Sequence, residues 1–151
     1  MNADEVLAEE SALVLAAFTE AEALRIGQAI LAEGLANGHP IVIDIRTPNR
    51  TLFHASLPGS AQNNDNWARR KSNVAFFFGT SSLVQRLSHE AKGRGLAHAG
   101  LSEADHALSG GAVPVRVRSA GIVAVATVSG LPDTEDHAMV VRALRALAGP
   151  G

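Results

Sequence analysis

The sequence predicts an α+β domain in which helices pack on a largely antiparallel sheet. Two strand pairs, near 40–56 and 112–128, are each closed by a tight turn, so each pair folds back on itself. Helical periodicity precedes the first pair, separates the two and follows the second. The order helix, strand pair, helices, strand pair, helix is not the alternation of a doubly wound nucleotide fold.

Residues 3–10 form a short acidic helix, and the apolar run ALVLAAF at 12–18 follows as an edge strand or extended segment. Thr19 reads as an N-cap, with Glu22 completing a capping box. The helix behind it carries Leu24, Gly27, Leu31 and Leu35 on one face and ends at Asn37-Gly38. PIVIDIR at 40–46 alternates Ile41, Ile43 and Ile45 against Val42 and Asp44, and TPNR turns the chain into TLFHAS at 51–56. Pro58-Gly59 breaks that strand. A helix follows over NNDNWARRKSNVAFFF, then Gly79, then a second helix near 81–92 that stops at KGRG. Residues 96–109 are mostly loop, with a turn at SEAD. After Gly110-Gly111, Val113, Val115 and Val117 alternate with Pro114, Arg116 and Arg118. Ser119-Ala120-Gly121 returns the chain into IVAVATV, which is apolar on both faces as a central strand must be. Asp133 is expected to cap a last helix whose buried stripe is Met139, Val140, Ala143, Leu144 and Leu147. The expected organisation is an N-terminal helix and extended segment over 1–18 and one domain over 19–151.

Composition narrows the function classes. Of 151 residues, 46% are hydrophobic and 19% charged, which excludes disorder. The low charge and mean hydropathy of +0.10 favour apolar surface buried between subunits. A net charge of −2 and a pI near 6.3 argue against nucleic acid, which calls for a basic field. Without cysteine there is no disulfide framework, thiolate metal site or cysteine nucleophile. The acidic start MNADEVLAEE is no signal peptide, and no apolar run approaches the roughly 20 residues of a membrane span. The expectation is a cytoplasmic protein.

Four features bear on chemistry. On the helix at 63–78, Trp67, Lys71, Val74 and Phe78 share one stripe, beside Arg70. A cation on a core-facing stripe must reach an anion, snorkel to water or meet a carboxylate, for which Asp65 and Asp44 are the candidates. The glycines of SGGAVP, Gly110 and Gly111, allow close approach of a ligand to the backbone or simply a bend into the strand. VSGLPDTEDH runs from a strand through Ser129-Gly130 into a helix, whose first turn favours an anion. Asp133, Glu135 and Asp136 already supply negative charge there. The histidines His54, His98, His106 and His137 sit beside loops or strand ends, where each fits a surface or structural role, an axial ligand or a general acid/base. No two lie four apart on a helix, so no zinc motif is present and no metal is expected. No nucleophile elbow, P-loop or dinucleotide fingerprint occurs.

LPGSAQNNDNWARRKSNV, HALSGGAVPVRV and VATVSGLPDTEDHAMVVRAL together resemble uncharacterised protein family 0303. That family is a branch of the haem-degrading-domain superfamily, which includes glycolate-utilisation-type proteins. The resemblance spans roughly residues 19–147. It implies a sheet of about five strands flanked by helices, a profilin-like fold and a homo-oligomer. By position, its recurring residues fall on Asn66, Trp67, Arg70 and Lys71, on Gly110, Gly111 and Pro114, and on Ser129, Gly130, Asp136 and His137. Phe76-Phe77-Phe78 departs from the family pattern, which often places a cation near the end of this helix. The three rings cannot all face one interior, because neighbouring helical residues lie about 100° apart.

These observations leave three readings. In the first, Arg70 and Lys71 converge with Gly110-Gly111 and Ser129-Gly130 on a pocket for a small anionic group, such as a carboxylate or a haem propionate. Asn66 and Trp67 would line it, and His137 or His106 would supply a donor, base or metal-facing nitrogen; haem is the cofactor this reading names. The second is an oligomeric scaffold without a small ligand, supported by the phenylalanine triplet. The third is an enzyme acting on a small acid or haem.

Overall fold

The computed structural model describes residues 1–149, so Pro150 and Gly151, the end of the expected domain span, lie outside the described residues. The order of elements is α1 (Ala3–Ser11), β1 (Val14–Leu15), α2 (Glu20–Asn37), β2 (Val42–Thr47), β3 (Arg50–Ser56), α3 (Gln62–Phe78) and α4 (Ser82–Lys92). A 3-10 turn at Leu96–Ala99 precedes β4 (Ala112–Val117), β5 (Gly121–Ser129) and α5 (Asp133–Ala148). The five strands lie in the order β1-β4-β5-β2-β3. All neighbours are antiparallel except β1 and β4, which run parallel through Val14–Arg116 and Leu15–Val117. The run at 12–18 is thus a two-residue edge strand, and the α+β architecture is as the sequence predicts.

The sheet separates two layers. On one face α2 and α5 cover Ile41, Ile43, Ile45, Val113, Val115, Ala126 and Val128, all sealed from solvent. Burial of each isoleucine side chain contributes roughly 1.5–3 kcal/mol. The capping box forms as expected: Thr19 N donates to Glu22 Oε1 at 2.6 Å, and the Thr19 hydroxyl caps Ala21 N. The face that carries Leu24, Gly27, Leu31 and Leu35 is only partly the one that α2 buries. Ala23, Ile26, Gly27, Ile30 and Gly34 face the sheet, whereas Leu24 and Leu35 are exposed. The reason is steric. A Cβ on Gly27 would stand 2.6 Å from Cδ1 and Cδ2 of Phe53, and one on Gly34 would stand 2.6 Å from Leu57 Cδ2. The helix seats itself on Ile26, Ile30 and its small residues, and Leu24 and Leu35 rotate outward.

The other face is covered by α3, where an apolar cluster of Ala75, Ala112 and Val125 sits beside a polar network. Strand register sets Asp44 opposite His54 on β3 and opposite Thr127 on β5. Thr127 shares a 3.0 Å hydrogen bond with Ser72 of α3, and both hydroxyls are buried. Asp44 accepts from Arg46 Nη2 at 2.7 Å and from Arg46 Nε, and lies 2.9 Å from His54 Nδ1. His54 Nε2 meets Asp65 at 3.1 Å.

Beyond the sheet, α1 lies against α4 through Val6, Leu83 and Val84. Glu10, fully buried, anchors it: Oε2 accepts Ser81 N–H at 2.8 Å and faces Arg116 Nη2 at 3.4 Å. Burial pushes this carboxyl above its ordinary range, against the pull of Ser81 and Arg116. Among the described residues, no helix is long and apolar enough to cross a membrane.

Candidate functional site

Lys71 decides where the site lies. On α3, the positions that meet the sheet are Ala68, Lys71, Ser72, Val74 and Ala75. Its side chain, 4% exposed, runs between sheet and helix to the start of α5. There Nζ donates to Asp136 Oδ2 at 3.0 Å and to Val128 O at 3.3 Å. The partner is therefore Asp136, and not Asp65 or Asp44, both of which are drawn to His54. An ammonium has three donors, so one remains.

Asp136 is the hub. Besides Lys71, its Oδ1 accepts Leu131 N–H at 3.0 Å and its Oδ2 accepts Gly130 N–H at 3.3 Å. Burial pushes the carboxyl up from its ordinary value, opposed by the Lys71 ammonium and the two amides. Asp133, expected to cap α5, does not; the N-cap is Pro132 with no side-chain bond. Asp133 instead reaches away to accept Gly110 N–H at 2.9 Å and to pair with Arg86. The amides that the sequence offered to an external anion are thus satisfied by the protein's own carboxylates.

Two glycines let these parts come together. Gly111, at φ +136°, brings its Cα so near that an added Cβ would stand 3.0 Å from Lys71 Nζ and 3.2 Å from Asp136 Cβ. Gly130, at φ +149°, lies against the residues that lead into β2, where a Cβ would meet Pro40 O at 2.5 Å. Both conformations are ones that only glycine adopts readily.

Over the ammonium opens a cleft of about 190 Å³, lined by Asn64, Trp67, Lys71, Ser109, Ser129, Gly130, Leu131 and Asp136. Asn64 Oδ1 accepts Ala61 N–H, and its amide nitrogen has no partner among the described residues. The hydroxyls of Ser109 and Ser129 and the indole N–H have no partner among the described residues. The cleft is therefore rich in unspent donors, while both oxygens of Asp136 are engaged.

Not every expected residue reaches it. Trp67, Lys71, Ser129 and Gly130 line the cleft, and Gly111 closes on Lys71 from behind. Gly110 binds Asp133 instead. Arg70 lies 4.6 Å over the Trp67 ring and donates to Glu103 O at 2.8 Å, so it braces the tryptophan from outside. Asn66 is exposed and accepts from Arg69. His106 bonds Ser102 O at 3.0 Å, away from the lining. His137, next in sequence to Asp136, points to a different cavity, because adjacent helical residues diverge by about 100°. Sequence reading did not assign Asn64 and Ser109 to the site. The signal for Asn64 was its place one helical turn before Trp67, on the same face.

The phenylalanine triplet divides as its helical spacing requires. Phe76 packs toward Ala75, Ala112 and Val125, while Phe78 stacks edge-on to Phe77 and His89 at 4.9 and 5.5 Å. Phe77 is 57% exposed.

Comparison with known proteins gives this architecture a family. A UPF0303 protein of Mesorhizobium japonicum is 44% identical over 137 residues, covering 90% of this chain and 82% of its own. The crystal structure of the Ybr137w protein superposes with a TM-score of 0.89 at 33% identity, over 97% of this chain and 87% of that one. The PduOC:heme complex shares the fold, with a TM-score of 0.68 at 16% identity over 86% and 94% of the two chains. The family model of the haem degrading protein HbpS-like group matches residues 18–145, and the chain belongs to that family.

Proposed function

We propose that the chain is a ligand-binding protein whose cleft beside Trp67 and Lys71 takes a small carboxylate or similarly acceptor-rich group. The observation that carries this reading is the unspent third N–H of Lys71, beneath the free donors of Asn64, Ser109 and Ser129. Charge-assisted hydrogen bonds to a carboxylate are about twice as strong as neutral ones. The Lys71 charge is already balanced by Asp136, so recognition rests on the direction of the donors more than on net charge.

Haem enters through the family and through the PduOC relative, whose structure is a haem complex. A tetrapyrrole does not fit within this cleft. Its volume of about 190 Å³ lies below the roughly 300–1,000 Å³ of pockets that enclose drug-sized ligands, and no imidazole lines it. A propionate-sized arm does fit, with the macrocycle outside. Trp67 is the only tryptophan in the chain, so its fluorescence reports on the cleft. Propionate and haemin should each change that emission saturably, and the Lys71→Met/Asp136→Asn double variant should lose both responses. Emission indifferent to both, or retained by the double variant, removes the reading.

A second observation supports assembly. Phe77 stands exposed beside the ring of Phe78, a surface that a second copy of the chain would cover. The enzyme reading has one arrangement in its favour, the buried Asp44 carboxylate on His54. Both nitrogens of that imidazole are already engaged, so it holds no free edge toward a substrate.

A further inference from the structure

The nitrogen of Lys71 is tetrahedral, and most of its directions are taken. One is the bond to its own stem, and Nζ donates along two more, to Asp136 Oδ2 at 3.0 Å and to Val128 O at 3.3 Å. Gly111 closes on it from behind, where an added Cβ would stand 3.0 Å away. Lys71 lines the cleft with Trp67, Ser109 and Ser129, so the remaining direction opens there. With a proton in that position the group is an ammonium. Without it, the same direction holds the lone pair of a primary amine.

A hydroxyl or an amide at this place would also give the cleft a donor, and would bury no charge. The Asp136 carboxylate offsets the attraction of the ammonium for an incoming anion, and buried ion pairs often add nothing over apolar residues of the same volume. What a lysine adds to a mere donor is a nucleophilic nitrogen, the property for which buried lysines serve in Schiff-base chemistry. We propose that Lys71 forms a reversible imine with a small 2-oxo acid. Its carboxylate is held by Asn64, Ser109 and Ser129, and its carbonyl carbon stands at Nζ. The imine rests on the carboxylate reading of this cleft and adds a covalent bond to it.

The step balances without a redox partner. The cleft-facing proton passes to solvent, the lone pair attacks the carbonyl carbon, and the C=O π pair moves to oxygen. Nitrogen gives up one more proton, and oxygen gains two in all through solvent. The nitrogen lone pair then closes the C=N bond as the C–O bond breaks and water leaves. Ammonium and carbonyl thus give iminium and water, with the charge unchanged. The iminium keeps one N–H for Asp136 and gives up the longer contact to Val128 O. Asp136 faces one positive charge before and after.

The chain has two lysines, Lys71 and the exposed Lys92, so the second is an internal control. The full chain is incubated with pyruvate, reduced with borohydride and digested for mass spectrometry, which reads a carboxyethyl group on either lysine. Lys71 should be labelled saturably and about tenfold more than Lys92, because the bound acid is positioned at its nitrogen. Propionate should protect Lys71 and leave Lys92 unchanged. Ser129→Ala should raise the half-saturating pyruvate concentration about tenfold, the worth of one hydrogen bond to a charged group. Lys71 labelled no more than Lys92 overturns the proposal, as does labelling that never saturates or that ignores propionate. An unchanged half-saturation in Ser129→Ala overturns the placing of the carboxylate. A saturable Trp67 response to pyruvate with no Lys71 adduct removes the imine and leaves the carboxylate cleft standing, whereas neither response nor adduct removes both.

Discussion

Replacing Lys71 by methionine is expected to destabilise the fold by about 3–5 kcal/mol, the range for breaking a buried ion pair from one side. Methionine nearly matches the lysine stem in volume, so the loss is electrical and not a cavity. It leaves the Asp136 carboxylate, 1% exposed, with two backbone N–H groups and no cation. In a chain of this size the cost corresponds to a drop in Tm of roughly 6–20 °C. The effect should depend on pH with a definite sign. Burial already raises the Asp136 pKa, and Lys71 is the strongest influence lowering it. Without the lysine the native state holds the carboxyl proton to still higher pH, while the unfolded chain releases it near 3.8. Between those values the native state binds more protons, so the variant loses stability as pH rises. Urea unfolding at pH 5 and pH 8 measures this: the deficit against wild type should be larger at pH 8. Adding Asp136→Asn removes the orphan charge while keeping an acceptor for one amide, and should recover most of the loss. A single variant within 1 kcal/mol of wild type at pH 8, or a double variant no more stable than the single, would refute the assignment of Asp136 as the partner.

Three further outcomes are expected. His137, with its pKa held at about 4 against 6.5 in the unfolded chain, should cost the wild type roughly 3 kcal/mol as pH falls through that window, and His137→Leu should flatten that part of the stability profile. Gly111→Ala forces a side chain into a left-handed backbone and against Lys71 Nζ, and should lower stability by at least the roughly 1–3 kcal/mol of such strain, read by urea midpoint. Phe77→Glu should leave the circular dichroism of the chain unchanged and reduce the mass seen by light scattering; unchanged mass would show that this ring faces no second copy.

The fold was legible because its signals are local. The capping box at Thr19, the glycine stop of α2 and the alternation at Ile41, Ile43 and Ile45 each act within a few residues. What escaped was set by tertiary contact. Leucines outrank glycines in any hydrophobic stripe, yet α2 turns Gly27 and Gly34 inward because Phe53 and Leu57 fill the space a side chain would need. The anomaly of Lys71 was readable, and so was its need for a partner. That the partner is Asp136, 65 positions away, depends on α3 and α5 reaching the end of one sheet from opposite faces. His137 and Asp136 looked like one feature in the sequence. One residue of helical rotation sends them to separate cavities.

The seat of α2 on β3 has a consequence for how this chain can change over generations. With no spare room beneath the Phe53 ring, position 27 has no freedom to drift by itself, and a larger residue there is tolerated only alongside a smaller one at 53. The two sites, 26 positions apart, behave as a single inherited volume.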